Sequence, residues 1–364
     1  MRCCIILALL TAFLSCREGE YSYFYGETVI VDTNVQPDTL YGKKIELDSI
    51  YTGNMWAYDT LIGFSSHKFP DYWMYVFNVN TGKFLYPLCE RGHGPGEFPD
   101  ITDTDQRIYE EQLYYWIRKE SGKDECVLVN LEKQGDFIKR KMDIKIKTEF
   151  TRPFSSVFIL NDSMFLANNQ GEAQFQEEGP FTPPAYHLYN SRTKERIKTY
   201  RMYNGFIPVS PDYFFGRAGA STSYSSRDRI KPDDMSKLAM GMHHIDQINI
   251  LDLKTGKIKG FRNKTSPDFS YLKDIDNHRQ YYSHIFVDDR YIYGLYADPK
   301  YRTGKRGRNT VNIFDWDGNF IRKLFLDKTI LDIALDPVNK HLYVDTTGED
   351  EEEIYSYDVS HLYK

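Results

Sequence analysis

Few residues in this chain are spaced for chemistry. His243-His244-Ile245-Asp246 is its one histidine-rich spot. Imidazole and carboxylate groups together can ligate zinc or a similar ion. On a strand, however, adjacent side chains point to opposite faces, so His243 and His244 do not converge. His244 and Asp246 share a face and form a candidate metal pair, although ordinary strand polarity explains them as well. Asp100–Asp105, DITDTD, offers carboxylate oxygens of the kind Ca²⁺ takes. It lacks the rest of an EF-hand and also reads as a solvated loop. Glu349–Glu353, EDEEE, reads as a solvated charge run in a hairpin loop.

The least ordinary stretch is Arg91–Phe98, RGHGPGEF. Its G-x-G-x-G spacing is not the dinucleotide fingerprint, which needs G-x-G-x-x-G opening a helix. A P-loop would need Gly-Lys-Ser/Thr. Pro95-Gly96 suits the two central positions of a type II turn. The stretch follows the strand FLYPLCE and precedes a strand expected near Arg107–Ile117. It therefore reads as a crossing between two structural units, with Phe98 wedged between them. A second role stays open, in which Arg91, His93 and Glu97 line the rim of a ligand site. No G-x-S-x-G or H-E-x-x-H occurs, so no catalytic residue and no cofactor is assigned.

The elements that position these residues come from a divergent repeat, the pattern to seek first. Apolar-alternating runs enter a polar turn and leave it at Met74–Leu88, Val127–Met142, Tyr186–Tyr203, Ile248–Phe261 and Val311–Asp327. A truncated sixth, Ile354–Val359, ends the sequence. Asn-Thr-Gly-Lys, Lys-Thr-Gly-Lys and Trp-Asp-Gly-Asn are hairpin turns in which glycine supplies positive φ. Two further strand candidates precede each hairpin, most clearly in Ile285–Asp298 and Ile333–Thr346. Four strands over roughly 45–65 residues is the period of a propeller blade. The expected fold is all-β: a six-bladed β-propeller over residues 43–364 with four-stranded antiparallel blades. The last blade lacks an outer strand, and Lys44–Ile50 lacks a partner. Pairing them closes the ring with an N-terminal strand and leaves no long open edge. The span Gly205–Asp246 is expected to hold two inner strands, near Tyr213–Ala218 and Leu238–Met242. The polar stretch Ala220–Lys237, ASTSYSSRDRIKPDDMSK, would be an enlarged loop between them. Phe175–Pro184 is a second loop insertion, and Ser270–Tyr282 is the best short helical candidate.

Bulk properties agree. The 364 residues include 29 Tyr and 23 Phe, an aromatic richness suited to pleated, half-buried surfaces. The formal charge of −6 is mixed along the chain and no long basic run occurs, which argues against a nucleic-acid partner. Arg2 and the apolar run Ile5–Leu14 read as a signal peptide over residues 1–15, too short to span a bilayer. The order FLSC then ends at Cys16, the expected lipidation site. Residues 16–42 become a lipidated tether, and the membrane is reached only through that anchor. Of the remaining cysteines, Cys89 and Cys126 could pair in an oxidising envelope or stand as two isolated buried thiols.

GHGPGEF followed by Pro99 resembles the G-x-G-x-G-x-F-x-x-P phrase of NHL-type propellers. It is still more similar to the TolB-like six-bladed propeller lipoproteins of Bacteroidetes. Phe314–Phe320 and the segment to Tyr343 resemble that family's closing blades, and Ile230–Leu238 its Lys-Pro-Asp hairpin. The resemblance implies a six-bladed propeller anchored in the cell envelope, at the outer membrane, and carries over no catalytic residues. The expected function is a binding module for a glycan, a peptide or an envelope protein. A metal-assisted hydrolase or lyase, with its site on the propeller axis, is the alternative.

Overall fold

Side chains at three hairpins build the same turn. Asn78 Oδ1 accepts from the N–H groups of Asn80 and Thr81, while Gly82 N–H returns to Asn78 O. Asn190 does the same for Arg192 and Thr193, with Lys194 closing onto it. Asp252 receives Thr255, and Gly256 closes the turn. The closing residue is left-handed in each, at φ 70°, 64° and 77° for Gly82, Lys194 and Gly256. Glycine takes that conformation without steric cost, so the lysine is the exception.

The structure is a computed structural model that describes residues 23–49, 51, 53–94, 96–109, 112–119, 125–131, 138–143, 156–169, 185–203, 224–269, 279–297, 309–347 and 352–364. Among these residues it is all-β apart from the short 3-10 turn Ser360–Tyr363. Three strands come first: β1 (Glu27–Val31), β2 (Asp38–Leu40) and β3 (Lys43–Ile45). Successive antiparallel meanders follow. The first holds β4 (Asn54–Tyr58), β5 (Leu61–Ser65), β6 (Tyr72–Asn78) and β7 (Phe84–Glu90). The second holds β8 (Thr102–Tyr109), β9 (Gln112–Lys119), β10 (Glu125–Asn130) and β11 (Ile138–Asp143). The third holds β12 (Ser156–Ile159), β13 (Met164–Asn169), β14 (Ala185–Asn190) and β15 (Arg196–Arg201). In the fourth are β16 (Ser226–Ile230), β17 (Lys237–Met242), β18 (Gln247–Asp252) and β19 (Ile258–Asn263). The fifth has β20 (Tyr282–Val287), β21 (Tyr291–Tyr296), β22 (Thr310–Asp315) and β23 (Phe320–Leu326). The last has β24 (Ile330–Asp336), β25 (His341–Thr347) and β26 (Glu352–Asp358), with β3 as its outer strand.

Apolar clusters form between consecutive sheets. Phe98, Trp56 and Val76 meet Ile117 and Val127 between the first and second. Cys126 and Leu128 meet Val157 and Phe165 next. Leu166 and Tyr186 meet Leu238 and Met240, and Ile248 meets Ile285 and Phe314. Val311 and Leu324 meet Ile333 and Val344. Ala334, Tyr343 and Ile354 return to Phe64 and Phe77 of the first sheet. The core is therefore a ring of inter-sheet contacts, the packing of a propeller of four-stranded antiparallel blades. Cys89 and Cys126 are buried thiols in separate clusters.

Three expectations need correction. First, the blades are not uniformly four-stranded: β1 adds in parallel to β19, and β2 in parallel to β23. Second, residues 16–42 are therefore not simply a tether. From Phe24 onward this segment runs along the outer edges of the fourth, fifth and last sheets, ending where β3 pairs with β26. Outer strands expose unpaired backbone groups, and the segment covers them. Third, the innermost strand of the fourth sheet is Ser226–Ile230, inside the stretch expected to be a loop. Residues 1–22, including the signal segment and Cys16, lie outside the described residues. So do Tyr213–Ala218, Phe175–Pro184 and all of the helical candidate except its end, where Tyr282 opens β20.

Candidate functional site at the mouth of the axial channel

Because each sheet is an antiparallel meander, the innermost strands β4, β8, β12, β16, β20 and β24 all run the same way around the axis. Members of this set pack on one another, β16 on β20 and β24 on β4 most closely, with β8 on β12 and β20 on β24. All six therefore begin on one face. The crossings between sheets and the links from second to third strands reach that same face. The strands that bound the long connections 170–184, 202–225, 264–281 and 297–309 end and begin on it. Among the described residues, the opposite face carries short turns, such as 59–60, 79–83, 253–257 and 337–340. Long connections on a rigid scaffold are where binding residues concentrate.

The strand starts are polar. Asn54 opens β4, Thr102-Asp103 β8, Ser156 β12 and Ser226-Arg227 β16, while Ser283-His284 and Asp332 lie at the second and third positions of β20 and β24. The other ends are mostly apolar or aromatic: Tyr58, Tyr109, Ile159, Ile230 and Val287. Three of the six strands also carry a register shift near the start. The shifts fall between Asp103 and Asp105, Tyr282 and His284, and Ile330 and Asp332. Each leaves one extra residue, Thr104, Ser283 or Leu331. Such bulges bend a strand and re-aim the adjoining side chains, and they are frequent beside functional sites.

Asp228 faces the third sheet, where it accepts hydrogen bonds from Tyr186 and from Ser226 Oγ at 2.6 Å. Burial raises the carboxyl's pKa and these bonds oppose the rise. Arg227 and Arg229 alternate with it and point the other way. Arg227 Nε donates to Ser283 O at 3.1 Å, tying β16 to β20. Its side chain is solvent-exposed, and surrounding protein only partly encloses it. That enclosure, followed by the charge of Arg229, pushes its pKa down, and Asp228 and Asp332 partly offset this. One oxygen of Asp332 accepts Met55 N at 2.7 Å and the other Ile333 N at 2.9 Å, so this carboxylate joins β24 to β4. The His284 ring stacks on Phe286 with centroids 6.3 Å apart. Sequence reading missed Arg227 and Arg229 because their strand reads as a loop, and His284 and Asp332 because they come from other sheets. The available signal was a polar pair opening an apolar strand.

The rim candidates separate. Arg91 lies over the Trp73 ring at 3.8 Å and donates to Ser66 O and Tyr72 O. Glu97 folds back to accept Gly94 N at 2.7 Å. A Cβ on Gly92 would stand 1.8 Å from that carboxylate, so a larger residue there would displace the folded-back Glu97 side chain. Glu97 N donates to Gly94 O, and Gly96 takes φ 86°, the geometry of the expected type II turn. Phe98 is fully buried between the first two sheets, and Trp73 Nε1 donates to its carbonyl. Of the three, His93 is the exposed side chain, on the long-connection face.

His243 and His244 follow the end of β17, on that same face, and are not on a strand. His244 Nδ1 lies 3.3 Å from Arg279 O, whereas Asp246 is buried and accepts from Asn263 at 2.8 Å and Tyr296 at 3.0 Å. The two are thus occupied separately. Among the described residues, no three His, Cys, Asp or Glu side chains come together as a metal set. Asp103 and Asp105 of the acidic stretch lie on β8, a correction to the loop reading. Glu353 of the charge run opens no site: it pairs with Lys44 at 2.7 Å across the β26–β3 seam.

Comparison with solved structures places this architecture. A member of the DUF4221 family from Bacteroides vulgatus superposes with a TM-score of 0.55 at 13% identity, covering 89% of this chain and 97% of that one. The fold is that β-propeller fold. A protein from Bacteroides fragilis described as exported superposes with a TM-score of 0.54 at 13% identity, over 91% of this chain and 98% of its own. At this identity the likeness shows the fold alone. No family model and no curated protein matches the sequence.

Proposed function

We propose that this chain is a binding module of the cell envelope whose ligand docks on the long-connection face, over the mouth of the axial channel. The observation that carries the proposal is the asymmetry of the ring. The strand ends that bound the long connections and the polar starts of the innermost strands fall on one face, and among the described residues short turns occupy the other. In this reading the six sheets are six blades of one ring, of the TolB-like kind that the Arg91–Phe98 phrase resembles. Cys16 is lipidated and holds the ring at the outer membrane. The B. fragilis neighbour described as exported supports an envelope location. The ligand is a glycan, a peptide or an envelope protein, with His93 on the rim. Tyrosine on such a face would supply contact area with a hydrogen-bonding tip.

Replacing residues 204–223 by a short Gly-Ser linker tests the proposal. The variant should keep its melting temperature and lose binding to whichever glycan or peptide the intact mature chain selects from a library. Undiminished binding would sink the face assignment. Stoichiometric metal together with hydrolysis of the selected ligand would replace the proposal by the enzyme reading.

A further inference from the structure

Arg227 and Arg229 place two guanidinium groups on the same side of one innermost strand, facing the fifth sheet. Arginine is never deprotonated at ordinary pH, so both charges persist in the channel wall. Neither meets a carboxylate in an ion pair among the described residues: Arg227 spends Nε on Ser283 O, and Arg229 spends one N–H on Asp228 O. The nearest acids are already engaged. Asp332 is used by two backbone N–H groups, and Asp228 faces the third sheet. Arg227 is thus pinned through Nε, which fixes the plane of its guanidinium and leaves both terminal nitrogens for another partner. The exposed edge of the Arg227 guanidinium is open to an anion of matching geometry. The bulged Ser283 beside it is buried, and its hydroxyl has no hydrogen-bond partner among the described residues.

We propose that the channel mouth is an oxyanion site, in which Arg227 and Arg229 clamp a carboxylate or phosphate group of the ligand. This rests on the binding-face reading and adds the charge class of what binds. Arg227 presents a planar edge to two oxygens. Arg229, two residues along the strand, supplies the second charge. A neutral ligand would leave both guanidiniums without a direct ion-pair partner among the described residues.

The test is calorimetric titration of the mature chain with sodium phosphate, glucuronate and glucose at constant ionic strength. Hydrogen bonds to charged groups are each worth about 1.5–3 kcal/mol, or roughly 10–100-fold in affinity. Phosphate, glucuronate or both should bind, and glucose should not. Arg227→Gln should weaken the anion by that factor and Arg227→Lys by less. Arg192→Gln, on the opposite face, should have no effect. Arg229→Gln serves as an independent variant if Arg227→Gln fails to fold. Absence of anion binding, or anion binding unchanged in both glutamine variants, overturns the site. Selection of a neutral glycan on the long-connection face would also overturn it, and would leave the binding-face proposal standing.

Discussion

Replacing Phe24 by alanine should loosen the outer belt of the ring. Its ring is 2% exposed and lies in the seam between the third and fourth sheets. It stacks on Phe269 at 5.9 Å and meets Tyr203 at 6.2 Å. Two glycines make room for it, since a Cβ on Gly26 would stand 2.5 Å from its ring and one on Gly260 2.9 Å. Removing a buried phenylalanine costs about 3–5 kcal/mol. That cost is capped here, because the segment can detach instead. Upstream of Asp32, beyond Phe24, the segment is held by Tyr25 N on Met202 O and by the five-residue parallel pairing of β1 with β19. Each such net hydrogen bond contributes about 0.5–1.5 kcal/mol, so the belt and the ring cluster are comparable in strength. The expected outcome is therefore release of residues 23–31, with a smaller loss in global melting temperature. Limited proteolysis with mass spectrometry would show new cleavage within 23–31, and hydrogen exchange would show faster amides there. If Phe24→Ala shows neither, and its denaturation midpoint is unchanged, the belt does not hold the ring as described.

Three further outcomes are expected. Burial depresses the His187 imidazole to about 4. Its neutral form is the one the fold accommodates, so its stabilising contribution is complete above the unfolded value near 6.5 and is lost as pH falls toward 4. His187→Gln should flatten denaturation midpoints over that window, and an identical pH profile would refute the assignment. Lys194→Gly should raise stability by up to about 1 kcal/mol in urea titrations, because it relieves a left-handed lysine at φ 64°; a loss would mean the lysine side chain matters more than its backbone. Tyr363→Phe removes a hydroxyl that donates to Asp288 and lies 2.5 Å from Tyr293 Oη. It should cost about 1–3 kcal/mol and free the C-terminal turn, read as faster exchange at residues 360–364.

The hairpins were legible because their turns announce themselves. Asn78 ahead of Asn-Thr-Gly-Lys and Asp252 ahead of Lys-Thr-Gly-Lys are Asx acceptors four residues before a glycine at the left-handed position, and apolar alternation on either side sets the strands. The pairing of β3 with β26 was legible too, since a last meander of three strands leaves an edge to cover. The belt was not. Glu27–Val31 and Asp38–Leu40 are short and half-polar because, as added outer strands, they bury little. The site was hidden for a related reason. SRDRI reads as loop by composition, yet it forms β16, because an innermost strand places one side against its neighbour and the other along a polar channel. Asp228 is held by a tyrosine of another sheet, and no local pattern shows that. Arg91 and Glu97 were visible as residues, but their roles in bracing a loop depend on contacts with Trp73 and Gly94.

The most direct test of the central claim is a hydrogen-exchange footprint of the mature chain, with and without the ligand it selects. Protection should fall on the starts of the innermost strands and on the connections 202–225 and 264–281, with Ser226–Arg229 among the most protected amides. Protection confined to the short turns 79–83, 253–257 and 337–340, or to the belt, would contradict it.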